Sequence, residues 1–174
     1  MKLNKNLVLV GMMGSGKSSI GKIVSQKLQF EFIDTDKKIE EIEKKTISDI
    51  FEINGEKYFR NIEEVISIKY LKLNNKVIAL GGGGYINPNI RKYTLKKCMS
   101  VWLDWKKETL INRIKNSKKR PLAIKLSNLE LQKLIIKRSA MYNLSDYKIN
   151  CDKLSKKEIV KKIIKLYENS TNKN

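Results

Sequence analysis

Histidine is absent from this sequence of 174 residues, and cysteine occurs only twice. Without histidine there is no His-based metal site and no Ser–His pair for nucleophilic catalysis. Cys98 and Cys151 lack the spacing of a metal site, and two cysteines do not make a disulfide framework. These absences leave catalysis or binding to other residue types.

Long hydrophobic runs are also missing, since no stretch approaches the roughly 20 apolar residues that span a membrane. The first residues, Met-Lys-Leu-Asn-Lys, lead directly into a predicted strand, so we expect no signal peptide. The sequence contains no internal repeat and no low-complexity linker. We therefore expect one domain over residues 1–174, in a cytoplasmic protein without a membrane partner.

Acidic residues are scarce: 18 face 37 basic ones, which gives a formal net charge of +19. Such a charge could indicate nucleic-acid binding. However, the lysines are scattered over every predicted helix, and asparagine and isoleucine are abundant with them. We interpret this as a compositional drift that fills solvated positions, and we expect no nucleic-acid partner. The positive field still attracts anionic substrates.

The stretch VLVGMMGSGKSSIGKIV, residues 8–24, contains the strongest motif. Gly11, Gly14, Gly16, Lys17 and Ser18 fit G-x-x-x-x-G-K-[ST] between an apolar strand and a helical pattern, which is the context of a phosphate-binding P-loop. Its backbone N–H groups and the helix N-terminus bind anions. Lys17 is expected to reach the β- and γ-phosphates, and Ser18 to ligate Mg²⁺. The predicted ATP-binding residues of this loop are Gly14, Ser15, Gly16, Lys17, Ser18 and Ser19.

Strands and helices alternate along the chain, which predicts an α/β fold with a parallel, doubly wound sheet. The predicted strands cover residues 6–10, 30–34, 76–80, 99–104 and 147–151. The predicted helices cover residues 17–28, 36–44, 46–55, 56–73, 87–97, 106–116, 127–143 and 155 onward.

Two acids follow the second strand, in FEFIDTD, and a glycine run follows the third. Asp34 and Asp36 should lie at the carboxyl edge of the sheet, where ligands bind in such folds; Asp36 could alternatively cap a helix. Asp104 directly precedes a helix and is interpreted as its N-cap. The glycines at 81–84 leave bare backbone, against which a ligand could lie; the alternative is a flexible turn.

Arginine is rare beside the many lysines, so each arginine that is present hints at a planar, bidentate partner. The alternative for each is a surface ion pair. The five are Arg60, Arg91, Arg113, Arg120 and Arg138.

These pieces together resemble the shikimate kinase family. The segments GMMGSGKSS, FIDTD, FRNIE, LGGGG, KRPL and RSAMY occur in the order and approximate spacing of that family, from about residue 6 to 150. The resemblance implies transfer of the ATP γ-phosphoryl group to the 3-hydroxyl of shikimate. It also implies a P-loop three-layer sandwich with a five-stranded parallel sheet, an acceptor-binding helical segment at about 34–62, a lid at about 114–125, and a monomeric state.

The resemblance also implies roles for single residues. Asp36 would orient, and perhaps deprotonate, the attacking hydroxyl. Asp34 would lie near Mg²⁺ and act through a metal-bound water. Arg60 and Arg138 would bind the shikimate carboxylate. The backbone of Gly81, Gly82 and Gly83 would lie against the substrate ring. Arg120 would close over the phosphates as part of the lid, and Arg113 would pack on adenine.

Three alternatives stay open at this point. Another small-molecule kinase of the same fold, acting on gluconate or a nucleotide, would share the P-loop, although DTD, FRNIE and the triple glycine argue against it. A nucleotide-dependent RNA-binding protein would need a concentrated basic face with interleaved aromatics. A degenerate paralogue would bind ATP without turnover.

Overall fold

Five short, mostly apolar segments form the strands of one all-parallel sheet in the computed structural model, which describes residues 5–117 and 126–171. The strands lie in the order β2-β3-β1-β4-β5. They are β1 (Leu7–Val10), β2 (Glu31–Asp34), β3 (Lys76–Ala79), β4 (Met99–Asp104) and β5 (Tyr147–Asn150).

The helices alternate with these strands, as the sequence predicts. They are α1 (Lys17–Leu28), α2 (Thr35–Glu43), α3 (Ile47–Leu71), α4 (Pro88–Lys97), α5 (Lys107–Lys115), α6 (Asn128–Tyr142) and α7 (Lys156–Thr171), with a 3₁₀ turn at Gly84–Ile86. Within the described residues, no helix is long and apolar enough to cross a membrane.

The central strand β1 is fully buried, because helices cover both faces of the sheet. Alternate residues of a strand point to opposite faces. Leu7 and Leu9 pack with residues of α1 and α7, whereas Val8 and Val10 belong to a second cluster that includes residues of α4 and α6. This arrangement makes three layers, with the sheet in the middle.

The order of the strands reverses beside β1, since β1 pairs with β3 on one side and with β4 on the other. In open α/β sheets such a switch point creates a crevice at the carboxyl ends of the strands, where ligands bind. The loop after β1 lies at this crevice, which explains the position of the site described below.

Helix α3 bends at Gly55, where the sequence predicts one helix to stop and the next to begin. Gly55 has φ 80° and ψ 169°, although the segments on both sides are helical. Thr46 caps the start of α3, and its hydroxyl accepts a hydrogen bond from the Asp49 backbone N–H at 3.1 Å. A small cluster of Ile39, Ile50, Phe59 and Ile66 packs α2 against α3.

The structure corrects the sequence interpretation of Asp104. Asp104 is not a helix cap, because it is the last residue of β4 and Lys106 occupies the N-cap position of α5. The Asp104 carboxylate instead lies 3.1 Å from the Lys148 ammonium on β5. On α2, Ile39 is buried whereas Ile42 is half exposed.

Candidate active site

The loop between β1 and α1 has the backbone conformation that its glycines predict. Gly11, Gly14 and Gly16 all have positive φ, and Gly16 is the N-cap of α1. A side chain at Gly11 would be strained by this φ and would come within 3.0 Å of the Leu103 carbonyl oxygen. The first turn of α1 carries no acidic residue, so its N-terminus remains favourable for an anion.

Lys17 folds back over this loop. Its ammonium donates to the carbonyl oxygens of Gly11 at 2.8 Å and Met12 at 3.0 Å, and the residue is largely buried. The contact of this ammonium with bound phosphates stays a prediction of the motif.

Ser18 and Asp34 meet beside the loop. The Ser18 hydroxyl donates to a carboxylate oxygen of Asp34 at 2.5 Å, and the other oxygen of Asp34 caps α2 through the Lys37 backbone N–H. Asp34, and not Asp36, is thus the cap of α2. A hydroxyl and a carboxylate are oxygen ligands of the kind that Mg²⁺ takes together with nucleotide phosphates and water. No group of three or more acidic, Cys or His side chains that could hold a metal occurs within residues 5–117 and 126–171.

The glycine run after β3 lies against the three residues expected to hold the acceptor. A Cβ on Gly81 would overlap a carboxylate oxygen of Asp36, and one on Gly83 would overlap the guanidinium of Arg60. A Cβ on Gly82 would lie 3.5 Å from a guanidinium nitrogen of Arg138. The absence of side chains is therefore what admits these charged groups to the sheet edge.

Arg60 is held by two carboxylates of its own helix. One guanidinium nitrogen donates to buried Glu63 at 2.7 Å, and two others donate to exposed Glu56 at 3.1 and 3.2 Å. Burial raises the pKa of Glu63, against the opposing effect of the Arg60 and Arg138 charges. Burial also disfavours the Arg60 cation, but the two glutamates outweigh it and raise the pKa of Arg60.

Two further residues fix the glycine run and were not predicted. The Tyr142 hydroxyl donates to the Gly82 carbonyl oxygen, and burial raises the pKa of Tyr142 to about 12. On the other side, the buried Thr35 hydroxyl accepts from the Gly81 N–H at 2.9 Å. Glu63 lies three residues after Arg60, and Tyr142 lies four residues after Arg138. This helical spacing is the only sequence signal that places either residue beside an arginine of the site.

Arg113 lies next to the P-loop, and one of its guanidinium nitrogens donates to the Gly14 carbonyl oxygen at 3.4 Å. Arg120, the predicted lid arginine, lies outside the described residues, as does most of the predicted lid. Ser15 is fully buried.

One cavity of about 870 Å³ joins the P-loop to the acceptor residues. A cavity of this size accommodates small molecules. Its walls include Lys17, Ser18, Asp34, Asp36, Arg60, Arg113 and Arg138. The structure thus brings the described site residues to one cavity, except Ser15 and Gly81, which do not line it.

Comparison with known proteins identifies the family of this site. The family model for shikimate kinase matches residues 13–168. A shikimate kinase from Sulfurihydrogenibium sp. is 41% identical over 160 residues, covering 92% of this chain and 96% of the relative. The chain belongs to the shikimate kinase family. Another member, from Caldanaerobacter subterraneus subsp. tengcongensis, is 37% identical over 164 residues, covering 94% of this chain and 96% of the relative.

Solved structures of the shikimate kinase family have the same architecture. The shikimate kinase from Acinetobacter baumannii in complex with shikimate superposes with a TM-score of 0.89 at 29% identity, covering 96% of this chain and 94% of that one. A gluconokinase from Sinorhizobium meliloti 1021 has a TM-score of 0.61 at 16% identity, and the match covers 100% of this chain and 99% of that one. At this identity the likeness shows the fold alone. As a member of the family, this chain is an ATP-dependent kinase, and the family's reaction converts shikimate and ATP to shikimate 3-phosphate and ADP.

Proposed function

We propose that this chain phosphorylates shikimate with the acceptor held by Arg60, Arg138 and Asp36 and the ATP phosphates held by the P-loop. The observation that carries this proposal is the shared cavity, in which two guanidinium groups and one carboxylate surround a glycine run next to the loop. Shikimate offers a carboxylate and ring hydroxyls, which match two cationic forks and one hydrogen-bond acceptor.

In this proposal Asp36 orients the 3-hydroxyl and accepts its proton as the oxygen attacks the γ-phosphorus. A new P–O bond forms to shikimate while the bond between the γ-phosphorus and the bridging oxygen breaks, and ADP leaves. Lys17 and the N-terminus of α1 stabilise the negative charge on the transferring group. Backbone N–H groups of Gly14, Ser15, Gly16, Ser18 and Ser19 would hold the remaining phosphate oxygens.

We further propose that Ser18 and Asp34 hold Mg²⁺, Ser18 directly and Asp34 through a water. Their contact at 2.5 Å supports this, because it gathers a hydroxyl and a carboxylate at the loop. When bound, the metal neutralises charge on the phosphates. The acid proposed to take the proton is a different one, Asp36, which lines the same cavity.

The remaining assignments come from the family resemblance. Arg120 would close over the phosphates as part of a lid at about 114–125, Arg113 would pack on adenine, and residues 34–62 would form the acceptor-binding part of a single domain. We propose a cytoplasmic monomer, which is the usual state in the family.

The experiment that tests the proposal is an ADP-release assay that offers shikimate, gluconate and nucleoside monophosphates side by side. We expect turnover with shikimate alone among these acceptors. Asp36→Asn keeps the shape of the side chain but removes its charge, so it should lower kcat for shikimate more than it raises the KM for ATP. Preferred turnover with gluconate or a nucleotide, or an unchanged kcat for Asp36→Asn, would contradict the assignment.

A further inference from the structure

Trp105 connects the segment between β4 and α5 to the phosphate-binding loop. Its indole N–H donates to the Ser15 carbonyl oxygen at 2.9 Å, and Ser15 is fully buried. The two residues are 90 positions apart in sequence, so this bond fixes the loop against a distant part of the chain. A tryptophan N–H can only donate, which gives the contact a defined direction.

The face of the same indole ring carries Arg113. The central carbon of the Arg113 guanidinium lies 3.7 Å from the ring centroid, well within the range of a cation–π contact. Within residues 5–117 and 126–171, no carboxylate forms an ion pair with Arg113. The aromatic ring, and not an acid, therefore holds this cation in place without neutralising it.

Arg113 also belongs to the wall of the cavity that contains Lys17 and Ser18. A guanidinium stacked on a ring keeps its plane fixed, and such a plane stacks on a flat ligand such as a nucleobase. Trp105 therefore orients Arg113 next to the loop, together with the hydrogen bond from Arg113 to the Gly14 carbonyl oxygen at 3.4 Å.

We propose that Trp105 is a positioning residue of the nucleotide site, which acts on the base through Arg113 and on the phosphate loop through Ser15. The inference rests on the nucleotide binding proposed above. It predicts that Trp105 determines affinity for nucleotide and has no part in holding the acceptor.

Two substitutions separate the two contacts. Trp105→Phe keeps an aromatic face for Arg113 but removes the N–H, whereas Trp105→Leu removes both. The experiment is calorimetric titration of the full-length protein with ADP and separately with shikimate. We expect Trp105→Leu to weaken ADP binding about five-fold or more and Trp105→Phe to show an intermediate loss, because it removes only the N–H contact, whereas shikimate affinity should stay within about two-fold.

A double-mutant cycle with Arg113→Leu tests whether Trp105 acts through Arg113. If it does, the loss of ADP affinity in the double variant is smaller than the product of the two single losses, because both substitutions remove the same contact between Trp105 and Arg113. The inference would be overturned if the two single losses of ADP affinity multiplied in the double variant. It would also be overturned if Trp105→Leu left ADP affinity unchanged or lowered shikimate affinity as much as ADP affinity.

A fluorescence titration provides a readout that does not depend on substituting Trp105. The sequence contains two tryptophans, so Trp102→Phe leaves Trp105 as the single emitter. ADP should change its emission, and an unchanged spectrum at saturating ADP would count against the proposal. Wild-type turnover with shikimate, measured in parallel, separates this outcome from a failure of the proposed function.

Discussion

At the scale of single residues, Glu63 is the buried carboxylate on which the position of Arg60 depends. Arg60 donates to Glu63 at 2.7 Å, and removing such a partner leaves the guanidinium less well held. Glu56 contacts the same guanidinium but is exposed, so its contribution should be small. Substitutions of Glu63 and Glu56 therefore compare a buried and an exposed carboxylate that contact the same arginine on one helix.

We predict that Glu63→Gln raises the KM for shikimate about ten-fold or more, with the KM for ATP nearly unchanged, whereas Glu56→Gln changes either value by less than about three-fold. Burial raises the pKa of Glu63, so this group takes up a proton at a higher pH than an ordinary glutamate as the solution is acidified. The wild-type KM for shikimate should then rise on the acidic side, and Glu63→Gln should lose that rise.

The contribution of Glu63 to the free energy of unfolding changes with pH in the opposite direction to that of an ordinary ion-paired acid. Because the folded state binds the Glu63 proton more tightly than the unfolded state, the contribution of this group to stability falls as the pH rises above its unfolded pKa. Equal KM values for Glu63→Gln and Glu56→Gln across the acidic range would contradict this role for the buried carboxylate.

Residues that belong to a local motif could be predicted from the sequence, and residues that act through the tertiary structure could not. Lys17 and Ser18 are defined by the spacing of the loop, and Asp36 and Arg60 by short ordered segments. Glu63 contacts Arg60 within one helix, at a spacing of three residues, whereas Thr35 and Tyr142 contact the glycine run from distant parts of the chain. No spacing within one segment reveals the contacts of Thr35 and Tyr142 with the glycine run.

At the scale of elements, the break in α3 sets the direction of the half-helix that carries Arg60. Gly55 has a backbone conformation, φ 80° and ψ 169°, that residues with a side chain rarely adopt. A Cβ there meets nothing within 4 Å, so the cost of a substitution is backbone strain and not a clash.

We predict that Gly55→Ala lowers the free energy of unfolding by about 1–3 kcal/mol and raises the KM for shikimate while sparing that for ATP. Asn54→Ala is the matched control, since Asn54 is exposed and lies directly before the break. Thermal unfolding and steady-state kinetics measure the two effects. A Gly55→Ala variant as stable and active as Asn54→Ala would mean that the bend has no role in the site.

Element boundaries were predictable where a glycine, a cap or a buried apolar run marked them, as at Gly16, Thr46 and Asn87. Asp104 was misinterpreted because an acid before a helical pattern usually caps it. Here β4 extends through Asp104, which pairs in register with Asn150 of β5, and no local pattern reports that neighbour.

At the scale of the whole molecule, the parallel sheet brings three distant parts of the chain to one edge. The loop after β1 supplies the proposed phosphate site, the end of β2 and the start of α2 supply Asp34 and Asp36, and the glycines after β3 lie beside them. Because α3 and α6 also line this cavity, through Arg60 and Arg138 among others, the two substrates are expected to meet in a single compartment.

The most direct test of this account is a set of steady-state kinetics with both substrates varied, for Arg60→Ala, Arg138→Ala and Lys57→Ala. Lys57 is exposed on the same helix as Arg60 and controls for loss of one positive charge. Each arginine substitution should lower kcat/KM for shikimate by about 30- to 1,000-fold and leave the KM for ATP within about two-fold, with Lys57→Ala close to wild type. Arginine variants that lose ATP affinity and keep shikimate affinity would contradict the central claim.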